Sequence, residues 1–123
     1  MTLKSADVPS IDEIRTTFEP FFRKGGAKRA ILFGSYARGE ADRTSDLDII
    51  VIADTAAEWF DRYRAFPGVY NIWRGGIDIL IYTPQELETM LAGGRAFIED
   101  ALREGVTIYE QSSRRRVAMG QID

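Results

Sequence analysis

The chain has 123 residues, 45% of them hydrophobic and 28% charged, and a formal charge of −3; that suffices for one compact domain with its own core and is too little for two. It contains no cysteine and no histidine, which excludes disulfides, thiolate or imidazole metal sites, thiol nucleophiles and the usual histidine base. No stretch approaches the roughly 18–20 apolar residues of a membrane span, Met1–Pro9 lacks the basic start and apolar run of a secretory leader, and the negative balance argues against broad attraction to nucleic acid. The expectation is a single cytoplasmic domain over 1–123 that binds neither membrane nor nucleic acid directly.

Ser10 and Glu13 have the spacing of a capping box, followed by Ile11, Ile14, Phe18 and Phe22 at helical intervals. A helix is expected there, kinked or broken at Pro20 and ended by Lys24-Gly25-Gly26. Arg29 to Phe33 reads as a buried strand closed by Gly34, and Leu47 to Ile52 as a second strand. Thr55 and Glu58 repeat the capping-box spacing, so a helix is expected from Ala56 to the stop at Pro67-Gly68, with Trp59, Phe60, Tyr63 and Phe66 in the core. Gly75-Gly76 between apolar stretches reads as a tight hairpin joining a less certain strand, Tyr70 to Trp73, to a principal one, Ile77 to Tyr82. Thr83-Pro84-Gln85-Glu86 opens a further helix with a cap, a proline at the first position and a glutamate at the third. Gly93-Gly94 interrupts it, another helix covers about Arg95 to Arg103 with Gly105 as its stop, and Val106 to Tyr109 is an edge strand. Residues 111–123, with the basic run Arg114 to Arg116, read as a loosely ordered, solvated tail. The sum is a mixed α/β (α+β) domain, a small mixed sheet flanked by helices, with its core at 29–82.

Strand alternation places Asp46 and Asp48 on one face with Ile50 and Ile52, opposite Leu47, Ile49 and Val51. The same arithmetic separates Asp78 from Ile77, Ile79 and Ile81. If the two strands are neighbours with aligned aspartate faces, three carboxylates converge, and their repulsion would raise their own pKa values unless a cation sat among them. With no histidine or cysteine the donors are all oxygen, which suits Mg²⁺ or Mn²⁺ rather than zinc. Mg²⁺ commonly completes its shell with substrate phosphates. The Gly34-Ser35 step offers a place for them: glycine lets phosphate approach the backbone, the hydroxyl and amides can donate, and Arg38 stands ready for a further phosphate oxygen. Taken singly, Gly34-Ser35 is an ordinary strand-to-helix turn, Asp46 and Asp48 a strand emerging into solvent, and Asp78 the partner of an arginine such as Arg74. Together they leave the convergence of three carboxylates and a phosphate-type turn to coincidence.

Gly34-Ser35, ten intervening residues and Asp46-Leu47-Asp48 resemble the GSx10DxD signature of the DNA polymerase β-like nucleotidyltransferase superfamily. The surrounding Gly34-Ser35-Tyr36-Ala37-Arg38-Gly39 and Ser45-Asp46-Leu47-Asp48-Ile49-Ile50-Val51 look like its minimal nucleotidyltransferase branch. The resemblance covers about Arg29 to Tyr82 and implies a polymerase β-like fold. It implies that Gly34 and Ser35 hold a nucleoside triphosphate, ATP in the leading reading, while Asp46 and Asp48 bind metal, two Mg²⁺ ions or Mn²⁺ in their place. Asp78 would complete the metal site, and it or a metal-bound alkoxide would stand where other enzymes use a histidine base. Proteins of this branch often pair with a HEPN-domain RNase toxin as its antitoxin, and some transfer AMP to a partner tyrosine. The leading expectation is therefore an Mg²⁺-dependent protein adenylyltransferase in a hetero-oligomer with a HEPN toxin. The alternatives are nucleotidylation of a small molecule, resembling aminoglycoside resistance, and a non-catalytic antitoxin that acts by binding alone.

Overall fold

A computed structural model describes residues 8–73 and 75–111. Its first helix, α1 (Ile11–Lys24), begins at the expected capping box: the Ser10 hydroxyl accepts from the Glu13 amide and the Glu13 carboxylate accepts from the Ser10 amide. Ile14, Phe18 and Phe22 recur one turn apart and are fully buried, each worth about 1.5–3 kcal/mol of apolar burial. Pro20 does not break this helix, which runs unbroken across it. The carbonyl that loses its intrahelical donor belongs to Thr16, which is exposed and open to water, while Phe18 and Phe22, their rings stacked at 5.9 Å, hold the helix to the core on both sides of the proline.

Four strands follow: β1 (Arg29–Phe33), β2 (Leu47–Ile52), β3 (Ile77–Tyr82) and β4 (Val106–Glu110). They form one sheet in the order β3-β2-β1-β4, with β1 antiparallel to both β2 and β4 and β2 parallel to β3. A short helix α2 (Ser35–Arg38) leaves β1, and α3 (Pro84–Ala92) and α4 (Ala96–Glu104) lie between β3 and β4. α3 has the expected box, Thr83 with Glu86, and proline in its first turn. The expectation of a small mixed sheet flanked by helices is met.

The period-2 alternation of the strands divides the core. Leu47, Ile49 and Val51 join Ala30, Leu32 and the α1 aromatics on one face, while Ile50 and Ile52 join Ile31, Ile98 and Ala101 on the other, under α4. β2 is therefore covered on both sides, which is why its sequence is apolar nearly throughout.

Two expectations between β2 and β3 are overturned. The segment after Thr55 is not an α-helix from Ala56 but a seven-residue 3₁₀ segment, Trp59–Ala65. The Thr55 hydroxyl accepts from the Ala57 amide, making a local turn instead of a helix cap. With three residues per turn, only Phe66 of the four aromatics is brought into the core; Trp59, Phe60 and Tyr63 stay exposed. Nor is there a hairpin at Gly75-Gly76. Neither glycine has a positive φ, 70–73 is no strand, and a 3₁₀ turn, Val69–Asn71, leads to Trp73, whose ring packs 5.8 Å from Phe18. β3 pairs instead with β2, in parallel. Arg74, residues 1–7 and the stretch 112–123 lie outside the described residues.

Candidate active site

Antiparallel pairing sets the exit of β1 beside the entrance of β2, with Phe33 opposite Asp48. Parallel pairing sets the entrance of β3 on the other side, with Asp48 opposite Asp78. Directly paired residues share a face, so Asp48 and Asp78 meet over the sheet, with Asp46 two residues upstream. The Asp48 carboxyl is raised above its ordinary value, first by burial and then by the charges of Asp78 and Asp46, with a hydrogen bond that protonated Asp48 donates to Asp78 adding to the rise; the Arg38 charge partly opposes it. The structure thus brings Asp48 and Asp78 together, with Asp46 near enough to act on Asp48 by its charge.

Gly34 makes this approach possible. Its φ of 77° and ψ of −155° suit glycine alone, and a Cβ there would stand 2.5 Å from the Asp48 Oδ2. At the same turn the Ser35 hydroxyl has no hydrogen-bond partner among the described residues. Tyr36 anchors α2: it is buried, its ring lies edge-on 5.9 Å from Trp73, and burial raises its hydroxyl pKa. Gly76 serves Asp46 as Gly34 serves Asp48, since a Cβ there would collide with the Asp46 carboxylate. That close approach, rather than a hairpin, is the physical use of the second glycine in the pair.

The ten-residue spacer is held by its own polar groups. Asp42 accepts from the Thr44 amide at 2.8 Å and the Thr44 hydroxyl at 2.7 Å, and the Ser45 hydroxyl accepts from the Asp42 amide at 2.9 Å. The two Thr44 bonds lower the Asp42 pKa, and all three fix the path into Asp46. Arg38 is exposed; its Nε donates to Glu40 at 3.0 Å and its Nη1 lies 3.9 Å from Glu104 at the end of α4. It is close enough to act on Asp48, but it is already shared between two carboxylates.

All the donors gathered here are oxygen, and Asp48 has the like-charge stress that a cation relieves. Among the described residues no three acidic side chains stand as a ready-made metal cluster. Mg²⁺ requires only one or two carboxylates when phosphate and water fill its remaining positions, a requirement that Asp48 and Asp78 fit. Sequence reasoning passed over Trp59, Phe60, Tyr63 and Tyr70, which line a groove beside β3; the signal was four aromatics within twelve residues, of which the first three read as core and Tyr70 as part of a strand.

The family model described as a nucleotidyltransferase domain matches residues 11–71, which takes in Gly34, Ser35, Arg38, Asp46 and Asp48 but not Asp78. A Methanocaldococcus jannaschii protein named "Putative protein adenylyltransferase MJ0435" is 37% identical over 73 residues, covering 59% of this chain and 78% of that protein. Among solved structures, the fold is similar to one described as a toxin-antitoxin with AMP-PNP, at a TM-score of 0.55 and 19% identity, covering 92% of this chain and 88% of that one. It is similar also to a toxin-antitoxin MntA-HpeT mutant, at 0.52 and 16% with the same coverage. At these identities the structural likeness concerns the fold alone.

Proposed function

This chain belongs to the nucleotidyltransferase family and is an enzyme of that type, and from that premise we propose that it transfers AMP from ATP to a hydroxyl of a partner toxin, as the antitoxin of the pair. The observation that carries the chemistry is the Asp48–Asp78 pairing beside the Gly34 turn. The protein relative named as an adenylyltransferase supports the nucleotide and the protein acceptor. The toxin-antitoxin neighbours, one of them with AMP-PNP, support the setting, in which a HEPN-domain RNase is the expected toxin.

In this reading Asp46, Asp48 and Asp78 hold Mg²⁺. Bound there, the ion would neutralise the phosphates and polarise the α-phosphorus. The Gly34 turn leaves room for the triphosphate against backbone amides, the Ser35 hydroxyl donates to a phosphate oxygen, and Arg38 turns from Glu40 toward the same charge. Asp78 receives the proton of the acceptor hydroxyl. That oxygen bonds to the α-phosphorus as the bond to the bridging oxygen breaks, and the electron pair leaves with pyrophosphate.

The test is the intact mass of the toxin that co-purifies with this chain, co-expressed with it or with its Asp46→Asn, Asp48→Asn variant. A toxin heavier by one or more AMP units only with the unaltered chain supports the proposal. An unmodified toxin that still co-purifies overturns the catalytic part and leaves neutralisation by contact.

A further inference from the structure

An open groove of about 1180 Å³ lies between the Trp59–Ala65 segment and α3, with Ile79–Tyr82 of β3 along its floor. Among the described residues β3 ends the sheet, with β2 as its single neighbour. The carbonyls of Gly76 and Tyr82 bond to Leu47 and Ala53 on the β2 side. Strand alternation therefore turns the backbone groups of Ile77, Ile79 and Ile81 outward. The Ile81 carbonyl accepts from Arg62, while no described residue bonds the N–H or carbonyl of Ile79. Isoleucine, leucine and tyrosine surround the open stretch of this edge at Ile79, without the lysine or proline that commonly guards one.

The groove walls are aromatic and wet. Trp59 is 75% exposed, Phe60 59%, Tyr63 46% and Tyr70 40%, an amount of ring surface that marks a contact face. Its charged lining, Glu58 and Glu86 against Arg62, is net acidic, which complements a segment that carries lysine or arginine. The groove lies beside the site: Ile79, next in the chain to Asp78, is in its lining, as is Tyr70, which stands near enough to Asp78 to feel its charge.

We propose that this groove seats the acceptor, an extended segment of the partner protein that adds a strand to β3 at Ile79 and rests its apolar side chains on Trp59 and Tyr63. Pairing in this register has a chemical consequence. The partner residue set opposite Asp78 shares its face, with Cβ atoms about 4.5–5.5 Å apart, so a hydroxyl at that position is delivered to the carboxylate. Main-chain bonds then supply affinity and the aromatic walls supply selectivity. The inference deepens the adenylyltransferase reading and rests on it.

The experiment measures KM and kcat for AMP transfer to the toxin, purified without this chain, by wild type and by two variants. Trp59→Ser with Tyr63→Ser removes exposed rings at little cost to the fold. Ile79→Pro removes an outward N–H and leaves the β2 ladder intact, a change that edge strands tolerate. Both are expected to raise KM for the toxin by about tenfold or more, with kcat and the Mg²⁺-ATP-dependent rise in melting temperature retained. An unchanged KM in the aromatic variant overturns the groove. A raised KM there with none in a folded Ile79→Pro overturns strand pairing. Transfer by wild type that the Asp46→Asn, Asp48→Asn variant lacks, with KM unmoved in both groove variants, leaves the enzymatic reading standing and the acceptor groove refuted; no transfer by wild type removes both.

Discussion

Replacing Glu86 with glutamine tests how the exposed aromatic segment is fastened to the rest of the fold. Arg62, 8% exposed, donates from Nε to the Ala57 carbonyl at 3.0 Å and from Nη1 to the Ile81 carbonyl at 3.0 Å. It also meets Glu86 through two bonds of 2.6 and 2.9 Å. One guanidinium thus ties the 3₁₀ segment, β3 and α3 together. The pairing lowers the Glu86 pKa from 4.5 to about 2, with the Arg62 bond as the largest cause. Fully expressed, such a change amounts to about 3 kcal/mol at neutral pH. The Glu86 side chain is 43% exposed, and screening by water leaves about 1–2 kcal/mol. Glutamine can still accept from the Thr83 amide, so the capping box survives and only the charge is lost. Because the folded pKa is depressed, the stabilisation is complete above the ordinary carboxyl value near 4.5 and is lost as pH falls through about 2. Thermal melts should show Glu86→Gln below wild type by roughly 5–10 °C at pH 7, the gap closing on acidification through that window. A gap of the same size at pH 7 and pH 2, or none at pH 7, would refute the argument.

Other consequences are as open to measurement. Gly34→Ala should abolish transfer and lower the melting temperature, because the substitution meets both a positive φ and the Asp48 carboxylate; wild-type melting and activity would sink that account. The raised Asp48 pKa means that the ionised group opposes folding as pH rises through the interval between its ordinary and its raised value. Asp48→Asn should accordingly hold or gain melting temperature without metal, yet lose the rise produced by Mg²⁺ and ATP; a less stable metal-free variant would show the aspartate to be structurally paired. Phe18→Ala, which empties the centre of the α1 contact with the sheet, should cost about 3–5 kcal/mol in urea unfolding, and a loss under 1 kcal/mol would contradict the packing described.

The parts of the fold that follow local rules were legible in the sequence. Ser10 with Glu13 and Thr83 with Glu86 each started a helix, and the two-residue period in Asp46-Leu47-Asp48-Ile49 and Ile77-Asp78-Ile79 assigned faces correctly. The aspartates could be placed together because that same period acts on both strands once they are neighbours. What lay hidden was set at long range. Thr55 with Glu58 has the same spacing as the two true caps, but Arg62 anchors the segment to carbonyls at Ala57 and Ile81 and to Glu86, a tie across 24 positions that favours 3₁₀ geometry with its rings outward. Gly75-Gly76 has hairpin composition, yet the demand on Gly76 comes from Asp46, thirty positions earlier. Arg38 shows a lesser version: its place just after the Gly34 turn was legible, its partner Glu104 was not.

The sheet order carries a consequence for synthesis. β1 lies between β2 and β4, and its outer neighbour is the last strand described, tied back to α1 by the Arg15 guanidinium on the Thr107 carbonyl at 3.0 Å. Every candidate site residue has left the ribosome well before β4 does, but until then the flank of β1, the strand that ends in the Gly34 turn, is unpaired. An emerging chain thus possesses the chemistry before the frame that aligns it, and ribosome stalling or cleavage between Tyr82 and Val106 leaves a fragment with all three aspartates and an open strand, matter for proteases and chaperones rather than a smaller enzyme.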